Sequence, residues 1–359
     1  MNKNNSTLSI SSHDIKDCNE VADYMMKCGI PCFVSSNTTV IKNKGQFIKE
    51  NGCQIKMGSH DPSLIDTNFW LKIKNTFSLS CAHLEVEGKF KGCIYDYLRG
   101  SNCPDLEVLV STDDILKDEK GSKYPILVMA KRKKDKNILY PDHTFQDWSN
   151  AKTNTWDKAK NKIMTSCKKH PFSKKTSKLM FRGNNTHYIR KFLANKSANK
   201  NEMDIQMVDL KKNKNKFVTL EDHCKWKYLL NIPGRSYAGR LKYLLVSNSV
   251  VFNIKKKEDY QWDEFYYHVL ADNKNYVAIQ DNNNYDYEGK IKKEGNKYNN
   301  TANDAILKQC VDKVKELNAS NKDANKIVNE NEDLREYFNY ESVLFYWYVL
   351  LYKLSLLKK

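Results

Sequence analysis

The sequence predicts an α/β fold built as two domains, and three observations carry that prediction. The chain has 359 residues, 40% of them hydrophobic, which is enough for two ordinary cores. Short apolar runs closed by polar or turn residues recur along it, as core strands do: Leu106–Val110, YPILVMA at 124–130, Lys178–Phe181 and SVVFNI at 249–254. Between the last two, a strand, a Pro-Gly break and a helical stripe lead into the final strand closely enough to form one βαβ unit.

Residues 1 to about 60 are polar and weakly periodic, with a helical pattern near Val21–Lys27. An amphipathic segment follows near Phe69–Phe77, then a Gly-containing strand pair in HLEVEGKFKGCIYD and the core strand Leu106–Val110. That strand ends at Ser111-Thr112-Asp113-Asp114 and so sets two carboxylates at its carboxyl end, where open α/β sheets bind ligands. An aspartate pair before a loop is also ordinary turn chemistry. The strand at 124–130 supports the sheet, and the basic KRKKDK after it reads as a solvated loop.

The second half is more informative. Lys178–Phe181 is a short strand; Ile189, Phe192 and Leu193 then fall on one face of a helix that Asn185 or Thr186 is placed to cap. Arg190 lies beside that face. Trp226, Tyr228, Leu230 and Ile232 alternate as in a strand, Pro233-Gly234 breaks it, and Tyr237, Leu241, Leu244 and Leu245 form the helical stripe of the βαβ unit. Its helix is expected to begin near Ser236, which leaves the amides of Tyr237, Ala238 and Gly239 aimed above the sheet, where a phosphate is the usual guest. Arg240, one turn into that helix, reaches the same anion, and Arg190 approaches from the neighbouring unit. Two arginines and a helix start suit a diphosphate. On spacing alone, surface arginines of two amphipathic helices remain the alternative. There is no G-x-x-x-x-G-K-[ST] loop and no G-x-G-x-x-G turn, which counts against an ATPase and a dinucleotide-dependent dehydrogenase.

The formal net charge of +17 invites a nucleic-acid reading, but the lysines travel with asparagines, as in KNKNK, and no nucleic-acid-binding signature accompanies them. A solvated basic surface is the expectation, with no nucleic-acid partner. The ten cysteines contain no C-x-x-C pair and no zinc spacing, so no metal site is expected. No apolar leader opens the chain; a cytoplasmic location with free thiols follows as an expectation, with the lumen set aside. Val343–Leu357 is too short to cross a bilayer and contains Lys353; a buried terminal helix is favoured over a membrane-seated one. The acidic triplet Asp286-Tyr287-Glu288 is discounted as a metal motif because no strand is expected before it.

The segments FRGNNTHYIR, DHCKWKYLLNIPGRSYAGRLKYLLVSNSVVF, EFYYHVL followed by NYV, NILYPDHTF and PDLEVLVSTDD together resemble the protein O-glucosyltransferase and capsule-associated xylosyltransferase family, glycosyltransferase family 90, over roughly residues 84–352. The resemblance implies GT-B architecture: two Rossmann-like domains facing across a cleft, with a C-terminal helix crossing back to the first. In this chain that gives an N-terminal extension at 1–60, an acceptor-side domain at 61–168, a UDP-sugar domain at 169–335 and the crossing helix at 336–359. It implies an inverting, metal-independent transferase using UDP-glucose or UDP-xylose, with a protein or glycan acceptor and no further cofactor. Asp114 matches the catalytic aspartate, Arg190 the donor-binding arginine and Asn184 the polar residue after the F-R-G glycine. The diphosphate loop falls on Arg235, Ser236, Tyr237, Ala238, Gly239 and Arg240, with Arg240 gripping the phosphates. Ala238 stands where the family often has serine, and the stretch between TFQDW and Trp156 is shorter than in the animal enzymes, which argues against a folded epidermal-growth-factor-like acceptor. A non-catalytic sugar-nucleotide-binding protein and a basic nucleic-acid-binding protein are the alternatives.

Overall fold

The computed structural model describes residues 68–73, 106–111, 114–115, 126–135, 137–145, 148, 151–153, 155–209, 212–293, 297–298, 300–338 and 350. The chain divides into two compact units, one drawn from Met1–Gln146 with Tyr340–Lys359 and the other from Asp147–Asn339.

The first unit holds a four-stranded mixed sheet in the order β1-β2-β3-β5. β1 (Asn68–Ile73), with Phe69, Leu71 and Ile73 at alternate positions and Trp70 between the first two, runs antiparallel to β2 (Leu106–Ser111), with Phe69 opposite Val110 and Leu71 opposite Val108. The amphipathic segment expected near 69–77 is therefore a strand in its first part. β2 is parallel to β3 (Ile126–Val128), and β3 to β5 (Ile138–Leu139). The core here includes Leu127, Val128, Met129, Ile138, Tyr140 and Phe145. The basic segment after β3 departs from the solvated loop expected of it: Lys131–Arg132 form β4, Lys131 is buried, and Asp135 folds back to accept from Arg132 Nε and Nη2 at 3.1 Å each. A carboxylate within one turn turns a charge run into a closed corner. The expected helix at 21–27, the strand pair at 83–96 and the apolar run at 343–357 lie outside the described residues except for Leu350, which is helical and buried. Among the described residues no helix is long and apolar enough to cross a membrane.

The second unit is an α/β layer structure. Helix α1 (Trp156–Lys169) leads into a five-stranded sheet of order β11-β9-β8-β6-β7, every neighbouring pair parallel. Its strands are β6 (Thr176–Gly183), β7 (Met203–Met207), β8 (Trp226–Asn231), β9 (Val250–Lys256) and β11 (Val277–Asp281), with the short β10 (Trp262–Asp263) between the last two. A central parallel strand is covered on both faces, so it buries residues of both parities. β8 does this: Lys227, Leu229 and Asn231 are buried together with the expected Tyr228 and Leu230. α2 (Tyr188–Lys196) joins β6 to β7 and buries Ile189, Phe192 and Leu193 in the sheet's core; α3 (Leu241–Leu245) joins β8 to β9. α4 (Asn300–Ala319), α5 (Asn321–Asn329) and α6 (Glu332–Tyr337) close the unit, with Ile306, Cys310, Val314 and Leu317 of α4 in the same core.

Two expectations are corrected. The helix after Pro233-Gly234 begins at Leu241, not near Ser236, and Arg240 is its N-cap residue rather than one turn inside it. The backbone before it is held by tertiary contacts instead: Gly234 N donates to Tyr237 O at 3.0 Å, and Lys256 Nζ donates to Arg235 O at 2.8 Å. Likewise α2 starts at Tyr188 with His187 at its N-cap, and neither Asn185 nor Thr186 caps it.

Candidate functional site

The topology fixes where a ligand belongs. β6 leads through α2 to β7 on one side, while β8 leads through α3 to β9 on the other, so the carboxyl ends of β6 and β8 form the switch point of the sheet. The turns that leave these ends carry most of the expected binding residues.

Arg190, buried in the first turn of α2, donates through Nη2 to Ile232 O at 2.7 Å and through Nη1 to Asn184 O at 3.2 Å. Its Nε is buried without a partner. Arg240 donates through Nη1 to Arg182 O, and its guanidinium carbon lies 4.8 Å from the Phe181 ring centroid; that of Arg190 lies 5.6 Å from the same ring. Gly183 makes this possible. A Cβ there would stand 2.7 Å from Arg240 Nη2 and 2.8 Å from the Phe181 ring, so the F-R-G glycine serves the close approach of a guanidinium.

Lys256, the last residue of β9, is the third cation. It is buried, donates to Arg235 O at 2.8 Å and Gly234 O at 3.4 Å, and sits 4.4 Å from the centre of the Tyr285 ring. Gly289, at φ +73°, presses the 285–291 hairpin onto the same loop, since a Cβ there would come within 1.9 Å of Arg235 O. The loop that bears Arg240 is thus gripped from both β9 and the hairpin.

None of Arg190, Arg240 and Lys256 has an ion pair with a carboxylate among the described residues. The strain shows in their protonation. Burial, with Arg240 adding to it, pushes Arg190 down to about 9; burial brings Arg240 to about 10 and Lys256 to about 8, where Asp281 opposes the fall and Arg190 deepens it. His187 is buried, stacked 5.8 Å from Tyr285, and neither ring nitrogen makes a hydrogen bond of normal geometry. Burial first, then Lys256 and Arg190, push it down to about 3, so it is neutral at physiological pH.

Of the residues expected in the diphosphate loop, Arg235 is exposed, Ser236 and Ala238 are buried, and Tyr237 and Gly239 are half-buried. The five-residue helix that follows presents no substantial N-terminal dipole, so the side chains and Lys256, not a helix start, supply the positive field. Asp114 lies in the first unit, exposed in a bend just past the end of β2. Arg182, in the same F-R-G stretch at the end of β6, points the other way: its Nη2 donates to both oxygens of Asp204 at 2.8 Å each. Sequence reasoning missed Lys256, His187 and Gly183. The three lysines at 255–257 look alike in sequence, but strand parity separates them: Lys255 bonds Asp272, Lys256 turns inward and Lys257 reaches Asn284. The acidic triplet at 286–288 does follow a strand, β11, and forms a turn in which Lys290 N donates to Asp286 Oδ1 at 2.8 Å. No group of three possible metal ligands occurs among the described residues.

Comparison with known proteins bears on this site. The family model for glycosyl transferase family 90 matches residues 92–305. Similar relatives include O-glucosyltransferase rumi of Drosophila pseudoobscura pseudoobscura, 28% identical over 204 residues, 49% of this chain and 47% of that protein. The rumi homolog of Aedes aegypti is 29% identical over 201 residues (49% and 48%), and protein O-glucosyltransferase 1 of Homo sapiens 29% over 197 residues (49% and 49%). The chain spans about half the length of the curated relatives it matches. These matches also correct the cytoplasmic location expected above: rumi and protein O-glucosyltransferase 1 are lumenal enzymes of the endoplasmic reticulum, and a chain covering half of such proteins says nothing through its first residues about a leader. With a family model spanning residues 92–305, well over half of its length, the chain belongs to glycosyl transferase family 90.

Proposed function

We propose that this glycosyltransferase is an inverting, metal-independent enzyme of GT-B architecture that moves glucose from UDP-glucose to a hydroxyl of a protein acceptor. UDP-xylose as donor and a glycan as acceptor are the alternatives within the same chemistry. The observation that carries the donor reading is the set of three cations at the sheet's switch point, Arg190, Arg240 and Lys256, none of which has a carboxylate at ion-pair distance among the described residues, although Asp281 partly offsets the charge of Lys256. Buried cations short of counter-charge are costly, and the buried Arg190 and Lys256 with the half-buried Arg240 around one loop suit a ligand that brings at least two negative charges. A nucleoside diphosphate does so. The names of the relatives, O-glucosyltransferase, support the sugar and the oxygen nucleophile.

In this reading residues 61–168 form the acceptor-side domain, 169–335 the donor domain, and 336–359 the helix crossing back. Asp114 takes the proton of the acceptor hydroxyl as its oxygen attacks the anomeric carbon on the face opposite UDP. The bond from that carbon to the β-phosphate oxygen breaks, and its electron pair leaves with the diphosphate. Arg240 and Arg190, with Asn184 and the loop of Arg235, Ser236, Tyr237, Ala238 and Gly239 around them, hold the leaving group and stabilise the charge it gains. That positive field stands where a metal ion would otherwise be needed.

The test is release of UDP from a panel of UDP-sugars with EDTA present, comparing the wild type with Asp114→Ala and Arg240→Ala. Turnover of one sugar nucleotide that both substitutions abolish supports the reading and names the donor. UDP binding that Asp114→Ala leaves intact, with no turnover in the wild type on any acceptor, points to the non-catalytic alternative. No UDP binding, with salt-sensitive binding of DNA, overturns it.

A further inference from the structure

Apart from the sheet edge, the densest unassigned chemistry in the second unit is a pair of sulfurs beside a buried ammonium. Cys167 lies in the last turn of α1 and Cys224 in the 3-10 turn Glu221–Lys225 that leads into β8. Both are buried, and their Sγ atoms stand 3.1 Å apart, inside the roughly 3.5–4.0 Å at which non-bonded heavy atoms rest. As neutral thiols they spend their weak donors on backbone carbonyls, Cys167 on Ser247 O at 2.9 Å and Cys224 on Ile163 O at 3.6 Å. Next to them Lys175 is buried, donating to Ser247 O at 3.1 Å and Ser249 Oγ at 2.8 Å, with no ion pair to a carboxylate among the described residues. The negative groups that Lys175 faces are the two sulfurs.

We propose that Cys167 and Cys224 form a disulfide that fastens the end of α1 to the turn entering β8. Thiols expected to stay free are here placed as a pair, with a lysine positioned to favour the thiolate of one. The Cys224 hydrogen bond and the Lys175 and Arg335 charges hold Cys167 below the ordinary thiol value against its burial, whereas the same contact and burial push Cys224 up. Cys167 is therefore the attacking sulfur. Its thiolate attacks a small-molecule or protein disulfide, releasing one thiolate; the Cys224 thiol gives its proton to that thiolate and attacks the Cys167 sulfur of the mixed disulfide, releasing the second. Two thiols are oxidised to one S–S bond while one oxidant disulfide is reduced to two thiols. The exchange takes place late in folding, once Lys175 stands beside Cys167 but before the two sulfurs are covered, because both are buried in the folded unit. The bond closes a loop between residues 57 apart, so its effect on the unfolded chain is large. It acts on the strand whose far end opens into the Arg240 loop.

The full chain, refolded in oxidised and reduced glutathione, acid-quenched, alkylated and digested without reductant, decides the matter. The expected product is a peptide in which Cys167 is joined to Cys224, and a reductant is expected to lower Tm by roughly 5–10 °C in the wild type and not in Cys167→Ser or Cys224→Ser. Peptide mapping of the wild type stands even if neither variant folds. Alkylation of both residues in the fully oxidised protein, or linkage of either to another cysteine such as Cys310, overturns the proposal, as does an equal reductant effect in the two variants.

Discussion

Buried or half-buried positive charge occurs in two kinds of place in the second unit. Lys242 is fully buried with the Glu264 carboxylate at 3.7 Å, and Arg182 forks onto Asp204 at 2.8 Å. Arg190, Arg240 and Lys256, a few residues away in sequence, face backbone carbonyls and aromatic rings. At the first kind of place the chain supplies its own counter-ion and the charge is part of the architecture. At the second no carboxylate stands at ion-pair distance among the described residues, Asp281 offsets Lys256 only in part, and in the function proposed above the ligand brings the remaining negative charge. The same strand end, Phe181-Arg182-Gly183, contributes to both, which shows that an arginine in a family motif is not by that fact a ligand residue.

The largest effect that sharpens this contrast is on the paired side. Lys242→Ala leaves Glu264 buried without its ammonium and is expected to cost about 3–5 kcal/mol of stability by denaturant unfolding. Lys242 Nζ also donates to Gly239 O at 3.0 Å, in the loop before Arg240, so UDP affinity per folded molecule is expected to fall as well, by no more than about 10-fold. A variant that keeps its stability and loses UDP would erase the distinction.

Arg240→Ala is the converse. Turnover on the UDP-sugar is expected to fall about 100-fold, near 2.7 kcal/mol, by analogy with the loss of one preorganised donor. Thermal stability without ligand should stay within a few degrees, because lost packing on Phe181 is offset by relieved repulsion with Arg190. Arg240→Lys should recover little, since one ammonium replaces neither the fork nor the flat stacking on the ring.

How much of this was legible in the sequence follows from which forces act locally. Strands β2, β6, β8 and β9 and the βαβ unit were readable because their apolar runs are local patterns, and the approach of Arg190 and Arg240 followed from where strands end. The helix start was misread: Tyr237 and Leu241 share a helical spacing, but Lys256 and Gly289, distant in sequence, hold the loop in a non-helical path. Edge strand β7 went unread because only Met203 and Ile205 of its five residues are buried. Lys256 itself was hidden in a run of three lysines that only strand parity and the partners of its neighbours tell apart.

Gly183 gives a smaller and more selective probe. Gly183→Ala places a methyl at 2.7 Å from Arg240 Nη2 and forces that side chain, the movable partner, off Phe181. Donor affinity is expected to weaken about 10-fold, one decade being about 1.4 kcal/mol. If isothermal titration finds UDP binding unchanged, Arg240 does not need Phe181 beneath it, and the difference between it and a surface arginine narrows.

The smallest effect tests whether Lys256 belongs with the uncompensated group. Its folded value is about 8 against an ordinary 10.5, so between these the unfolded chain holds the extra proton and the ligand-free protein gains stability as pH rises through that window. A diphosphate favours the ammonium, and its binding must run the other way. Between about pH 7.5 and about pH 9 the Kd for UDP is expected to rise roughly 3- to 10-fold, one proton being the most a single lysine can link. Arg240, at about 10, keeps its charge across most of this window and Arg190, at about 9, begins to lose its proton only at the upper end, a contribution of about twofold at most; neutral His187 is already far above its value of about 3. Lys256→Met should therefore bind UDP more weakly at about pH 7.5 and lose most of the slope. A slope that survives the substitution would assign the titration to another group and move Lys256 to the structural side, as the residue that pins the Arg235 carbonyl and nothing more.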